Sequence, residues 1–135
     1  MTGLIVDSSA VVAIVAGEPG HEWLSEQLAA ASSRRIAAPS YLESGMVLEG
    51  RASAAAGVVP RTLLELKIEV MSFTPQMAER AMHGWRRFGK GHHPAALNLG
   101  DCCTFALAQE MGLPILCVGN DFAQTDMPVL RPPDS

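Results

Sequence analysis

The chain is 135 residues long, 48% of them hydrophobic and 18% charged, with a formal net charge of −4. That length suffices for one domain with a substantial core, and the composition excludes a disordered chain. The acidic balance excludes a domain that clamps nucleic acid by overall charge, so any nucleic acid must meet a local basic patch or a bound cation.

The opening Met1-Thr2-Gly3-Leu4 lacks the basic region of a signal peptide. Residues 3–6 predict a short strand ending at Asp7. Ser8 is placed to cap a helix over residues 9–16, closed by Gly17 and Pro19. Trp23, Leu24, Leu28 and Ala31 recur at helical spacing and predict a second helix over 20–31. Residues 35–38 predict a strand stopped by Pro39, and Ser40 then opens a long helix to Ala56 that carries Glu43. Gly57 and Pro60 break the chain before a short helix over 61–66 and a strand over 68–73. Thr74-Pro75-Gln76 starts a helix running to Phe88. Residues 89–100, rich in glycine, histidine and proline, form a loop, and Asp101 begins a helix ending near Met111. Residues 115–118 predict a strand, residues 120–124 turn away, and Val129-Leu130 adds an edge strand.

Short apolar strands alternating with helices predict an α/β sandwich with a mainly parallel sheet, in a single domain over residues 1–135. No apolar run reaches the ~18 residues of a membrane span. Three cysteines, two of them adjacent, make no disulfide framework and predict reduced, packed thiols in a cytoplasmic protein.

Four acidic segments stand where apolar runs end or turn: Val6-Asp7-Ser8-Ser9, Tyr41-Leu42-Glu43-Ser44, Leu99-Gly100-Asp101-Cys102 and Val118-Gly119-Asn120-Asp121-Phe122. Acids in apolar sequence must be paired, hydrogen-bonded or bound to a cation. No lysine or arginine adjoins any of the four, so a hard divalent cation, Mg²⁺ or Mn²⁺, would satisfy them. Asp7 and Asp121 each follow an apolar strand, which predicts both at the carboxyl edge of the sheet, where such folds bind ligands. Glu43 has apolar neighbours at i+3 and i+4, Met46 and Val47, which predicts a place on or beside the buried face. Asp101 stands in the first turn of its helix, where backbone N–H groups favour an anion, and its i+4 neighbour is Phe105. Taken singly, Asp7 and Asp101 could be helix caps and Asp121 a turn former; their joint order and context favour a metal site.

Over essentially the whole chain these motifs resemble PIN-domain ribonucleases of the VapC toxin type. Residues 6–13 resemble the opening strand and helix of that family, Tyr41-Leu42-Glu43 its second acidic motif and residues 97–102 its third. Gly119-Asn120-Asp121-Phe122 with Thr125-Asp126 resembles the fourth. The resemblance implies a PIN-like three-layer α/β/α sandwich with four to five strands. It also implies Mg²⁺- or Mn²⁺-dependent endonuclease activity on transfer RNA or another structured RNA, homodimerisation, and neutralisation by a VapB-type antitoxin. By position, Asp7, Glu43 and Asp101 match the metal-binding catalytic acids. Ser9 matches the hydroxyl that supports the first acid, through a carboxylate or a water on the metal. Asp121 is the choice for the fourth acid, with Asn120 and Asp126 as competitors. Water activated by one or two ions would attack the phosphate and leave a 5′-phosphate and a 3′-hydroxyl.

Arg80, His83, Arg86, Arg87 and Lys90 form a basic stretch, with Arg80, His83 and Arg87 on one helix face suited to phosphate contacts. A solvated helix face is the competing account of each. His92-His93 lacks the companion ligands of a zinc site, and Cys102-Cys103 fits packing beside Phe105 and Leu107. The first two helices carry an apolar surplus, in Val11, Val12, Ile14, Val15 and Trp23, that either fills the core or forms a dimer or antitoxin groove. A haloacid-dehalogenase-type phosphohydrolase is disfavoured, because Ser9 stands where such enzymes want a second Asp. The alternatives that remain are an RNA-processing PIN nuclease outside any toxin pair and a non-catalytic module of the same fold.

Overall fold

The computed structural model describes residues 2–133. Strands β1 (Leu4–Val6), β2 (Arg34–Ala37), β3 (Glu69–Met71), β4 (Ile115–Leu116) and β5 (Val129–Leu130) form one sheet in the order β3-β2-β1-β4-β5. Every pairing is parallel, with Ile5 opposite both Arg35 and Ile115. Parallel neighbours need long crossovers, and helices supply most of them. Helices α1 (Ser8–Ala16) and α2 (His21–Ala30) link β1 to β2; α3 (Ala38–Arg51) and α4 (Val58–Glu65) link β2 to β3; α5 (Pro75–Phe88) and α6 (Leu99–Met111) link β3 to β4.

Side chains alternate across a strand, so the sheet feeds two cores. Ile5, Ala37 and Ile115 pack against Met77, Phe88 and Phe105 from α5 and α6. Leu4, Val6, Ile36 and Leu116 pack against Val11, Leu24, Leu28, Leu48 and Leu63 from α1 to α4. Each fully buried side chain of this size contributes about 1.5–3 kcal/mol of burial. The result is the three-layer α/β/α sandwich, with five strands and a sheet that is wholly parallel. Gly84 fixes how closely α5 meets α6: a Cβ there would stand 2.6 Å from the Phe105 ring.

Several boundaries differ from expectation for local reasons. The third helix starts at Ala38, not Ser40, because Pro39 falls in its first turn, where no N–H is required. The same argument lets α4 begin at Val58 and include Pro60; Gly57, at φ 82°, is the real break. Helix α3 ends at Arg51, and a separate 3₁₀ turn, Ser53–Ala55, takes the residues expected to prolong it. Asn98 caps α6 and starts it at Leu99, two residues before Asp101. Asp7, not Ser8, caps α1. Of the apolar surplus of α1 and α2, Val11 and Val12 are buried in the core, and Ile14, Val15 and Trp23 pack half-buried against it. The large exposed apolar side chains lie elsewhere, on α3 (Leu42, Met46, Val47), α4 (Leu64), β3 (Val70), α5 (Met82, Trp85) and α6 (Leu99). No helix among the described residues is long and apolar enough to cross a membrane.

Candidate active site

The strand order reverses between β1 and β4, because the chain builds outward from β1 to β3 on one side and places β4 and β5 on the other. A crevice opens at such a reversal beyond the carboxyl ends of the strands. Asp7 follows β1 directly at that edge and is only 3% exposed. A buried carboxylate must be well supplied with donors, and this one is. Its Oδ2 accepts from the Ser9 backbone N–H at 3.1 Å and from Ser9 Oγ at 2.7 Å. Its Oδ1 accepts from Thr104 Oγ1 at 2.7 Å. Ser9 Oγ in turn accepts from the Val118 N–H at 3.0 Å, which ties the end of β4 to the start of α1. Ser9 thus supports the first acid through its carboxylate.

Glu43 reaches the same edge from α3, where Ser8 Oγ donates to its Oε1 at 2.7 Å. Its sequence neighbours do not behave as expected. Leu42 is 62% and Met46 67% exposed, while Ser40 and Ser44 are fully buried. The buried stripe of α3 is therefore Ser40, Ser44 and Leu48. Small hydroxyls suit this close packing and are satisfied: Ser40 pairs with Thr104 of α6 at 3.0 Å, and Ser44 Oγ donates within α3 to the Ser40 carbonyl at 2.8 Å. Gly100 leaves room for the Glu43 carboxylate, which a Cβ at that position would strike.

Asp101 lies in the first turn of α6 within a capping box. Its Oδ2 accepts from the Asn98 N–H at 3.1 Å, and Asn98 Oδ1 accepts from the Asp101 N–H at 2.9 Å. Its carboxyl is nevertheless pushed up to about 7. Burial is the largest cause; the Asn98 N–H opposes it, and the charges of Asp7, Asp121 and Glu43 add to it. The four sequence-predicted acids therefore share one electrostatic neighbourhood. Among the described residues, none of the four is in an ion pair with Lys, Arg or His.

The three contenders in the loop after β4 sort differently. Asn120 Oδ1 accepts from Arg131 at 2.8 Å, and Asp126 pairs with Arg87 at 2.6 Å, both at the surface. Asp121, also exposed, heads the 3₁₀ turn Phe122–Gln124 and is the one whose charge acts on Asp101. The donor set of Asp7, Glu43, Asp101 and Asp121 is all carboxylate oxygen, which suits Mg²⁺ or Mn²⁺. Among the described residues no three acidic, histidine or cysteine side chains close into a cage of their own.

The basic residues Arg80, Arg86, Arg87 and Lys90 are all exposed on α5 and just beyond it. Arg80 reaches Gln109 at 3.4 Å, and Arg87 stacks 4.6 Å over Phe88 while holding Asp126. His92 meets the Trp85 ring edge-on at 4.3 Å, and His93 meets Phe88 at 5.1 Å while its Nδ1 accepts from the Ala95 N–H. Cys102, Cys103 and Cys117 are buried and free. Their thiols are pushed up to about 11, 11 and 12, chiefly by burial and then by nearby carboxylates, which removes them as nucleophiles. Sequence reasoning missed Ser8, Ser40, Thr104 and Gly100. Thr104 carried a usable signal, three residues after Asp101 on the same helix face.

Comparison with known proteins agrees with this architecture. A family model described as PIN domain matches residues 4–127. Ribonuclease VapC36 of Mycobacterium tuberculosis is 45% identical over 130 residues, covering 92% of this chain and 91% of its own. The crystal structure of Mycobacterium tuberculosis VapC20, a sarcin-ricin loop cleaving toxin, superposes with a TM-score of 0.76 at 20% identity, covering 96% of this chain and 99% of its own. A toxin–antitoxin complex from Klebsiella pneumoniae gives 0.69 at 19% identity, covering 94% of this chain and 95% of that one. At such identities the structural likeness speaks for the fold.

Proposed function

We propose, for a chain that belongs to the PIN domain family of VapC ribonucleases, that it is a metal-dependent endoribonuclease and the toxin of a VapBC toxin–antitoxin pair. One observation carries the reading: Asp7, Glu43 and Asp121 lie near enough to Asp101 for their charges to add to the effect of its burial, and among the described residues none of the four is in an ion pair with Lys, Arg or His. Such a cluster has an unmet need for positive charge, and a divalent cation meets it.

In this reading Asp7, Glu43, Asp101 and Asp121 hold Mg²⁺ or Mn²⁺, and the whole chain acts as one PIN domain. A cation held by these acids would lower the pKa of a water to make it nucleophilic at neutral pH and would offset charge on the phosphate. The chain's own part is to hold the oxygens still. Ser9 orients Asp7, Ser8 orients Glu43, and the Asn98 cap orients Asp101. Asn120 and Asp126 support the loop through Arg131 and Arg87, outside the ligand set. Arg80, Arg86, Arg87 and Lys90 lead the RNA backbone toward the acids. The exposed Leu42, Met46, Val47 and Leu99 beside the acids form the surface for a second copy of the chain or for a VapB-type antitoxin.

The test is RNA cleavage by the purified chain with Mg²⁺, Mn²⁺ or EDTA, beside Asp7→Asn. Cutting that requires metal and disappears in the variant is expected. Cutting that persists in both EDTA and the variant overturns the mechanism.

A further inference from the structure

Asp7 is held on both oxygens, and the two sides differ in kind. On Oδ2 the donors are local, from the backbone and hydroxyl of Ser9 two residues on. On Oδ1 the donor is Thr104, which comes from 97 residues away in sequence and is 0% exposed. A hydroxyl has a single proton to give. Thr104 gives its proton to the Asp7 carboxylate, so in its 3.0 Å contact with Ser40 it must accept, and Ser40 must donate. The chain of donation therefore runs in one direction, from Ser40 to Thr104 to Asp7. Ser40 is itself fixed in place, since its carbonyl accepts from Ser44 Oγ and its side chain is fully buried.

The acceptor count then says what the relay leaves free. A carboxylate offers about four acceptor positions over its two oxygens. Ser9 fills both positions on Oδ2, while Thr104 fills one on Oδ1. The capacity that remains is on Oδ1, on the side away from the Thr104 hydroxyl. No buried side-chain polar atom among the described residues is left without a hydrogen-bond partner.

We propose that Thr104, oriented by Ser40, is a positioning residue that holds the Asp7 carboxylate in the orientation in which it would bind a divalent cation. This rests on the reading of the four acids as a metal site. Partners that orient a ligating carboxylate typically account for 10–100-fold in metal affinity. Thr104→Val keeps the shape of the side chain and removes the donor; Thr104→Ser keeps the donor; Ser40→Ala removes the group that orients it.

The experiment is calorimetric titration of the purified chain with Mn²⁺ alone, for wild type, Asp7→Asn, Thr104→Val, Thr104→Ser and Ser40→Ala, with a melting curve on each. Thr104→Val is expected to bind Mn²⁺ at least ~10-fold more weakly. Thr104→Ser should return close to wild type, and Ser40→Ala should fall between the two. Wild-type affinity in Thr104→Val, with binding lost in Asp7→Asn, overturns this role and leaves the metal site standing. No Mn²⁺ binding by the wild type overturns both. Should Thr104→Val not fold, Ser40→Ala decides: unchanged affinity there overturns the relay.

Discussion

The carboxyl ends of β1 and β4 lie side by side in the sheet, yet they present their acids in opposite ways. Asp7, after β1, is buried and held by three donors, two local ones from Ser9 and one from distant Thr104. Asp121, after β4, is exposed in a short 3₁₀ turn, between an Asn120 held by Arg131 and an Asp126 held by Arg87. Burying a charge demands prearranged partners, whereas a solvated charge needs none. The β1 end is thus a rigid half of the site and the β4 end an adaptable one. Asp101 lies within the field of both and is the acid whose ionisation their charges oppose.

The contrast is broken most severely at its rigid end. Asp7→Asn removes the best-organised oxygen pair, and since partners of a ligand already account for 10–100-fold, cleavage should fall by more than ~100-fold. Asp121→Asn, at the adaptable end, should cost clearly less. Side-by-side cleavage assays in Mn²⁺ check the order, and equal losses would erase the distinction.

Gly100→Ala is the next strongest probe. Its Cβ meets the far end of the Glu43 side chain, a flexible group that can swing away. Stability should therefore change by less than ~1 kcal/mol, while Mn²⁺ affinity drops about 10-fold as Glu43 leaves Ser8. Thermal melts and a metal titration separate the two effects.

A pH series sharpens the role of Asp101. Its folded carboxyl sits near 7, above the ordinary 3.8, so the folded state binds a proton more tightly than the unfolded chain. Metal-free stability should decline as pH rises from about 4 to about 7, then level off. Asp101→Asn should remove that decline, giving a melting-temperature gap from wild type that widens between pH 5 and pH 8 in EDTA. Divalent metal, which needs the ionised form, should bind more tightly over the same rise.

The smallest effects belong to the basic surface. Arg86→Ala should weaken RNA binding several-fold and reduce the slope of log affinity against log salt by about 0.7. Arg87→Ala should do the same and also release Asp126, at a stability cost below ~1 kcal/mol because the pair is exposed. Salt-dependent binding to a single-stranded RNA measures both.

Much of this was legible beforehand, and the failures have a common origin. Element order and the parallel sheet follow from apolar runs and helix stops, and the place of Asp7 and Asp121 at one sheet edge from acids set after strands. The placement of Glu43 was misjudged in its detail. Leu42, Met46 and Val47 suggested a buried apolar stripe, but the buried stripe of α3 includes Ser40 and Ser44. Hydropathy alone would not put serines inside, because Ser40 depends on a partner hydroxyl in α6 and Ser44 on a backbone carbonyl one turn back, neither of which hydropathy sees. Of the apolar surplus on α1 and α2, Val11 and Val12 are buried in the core, while Ile14, Val15 and Trp23 are partly buried against it.

By itself, then, the sequence determined which residues carry charge, where strands hand over to helices, and that several acids arrive at one sheet edge. These are properties of local spacing, set within a few residues of each acid. How each acid is held depends on contacts between distant segments: Thr104 on Asp7, Ser8 on Glu43, and arginines drawing off Asn120 and Asp126. A hydrogen bond is made over about 3 Å between atoms that 97 residues of chain can separate, and local sequence pattern does not encode that distance.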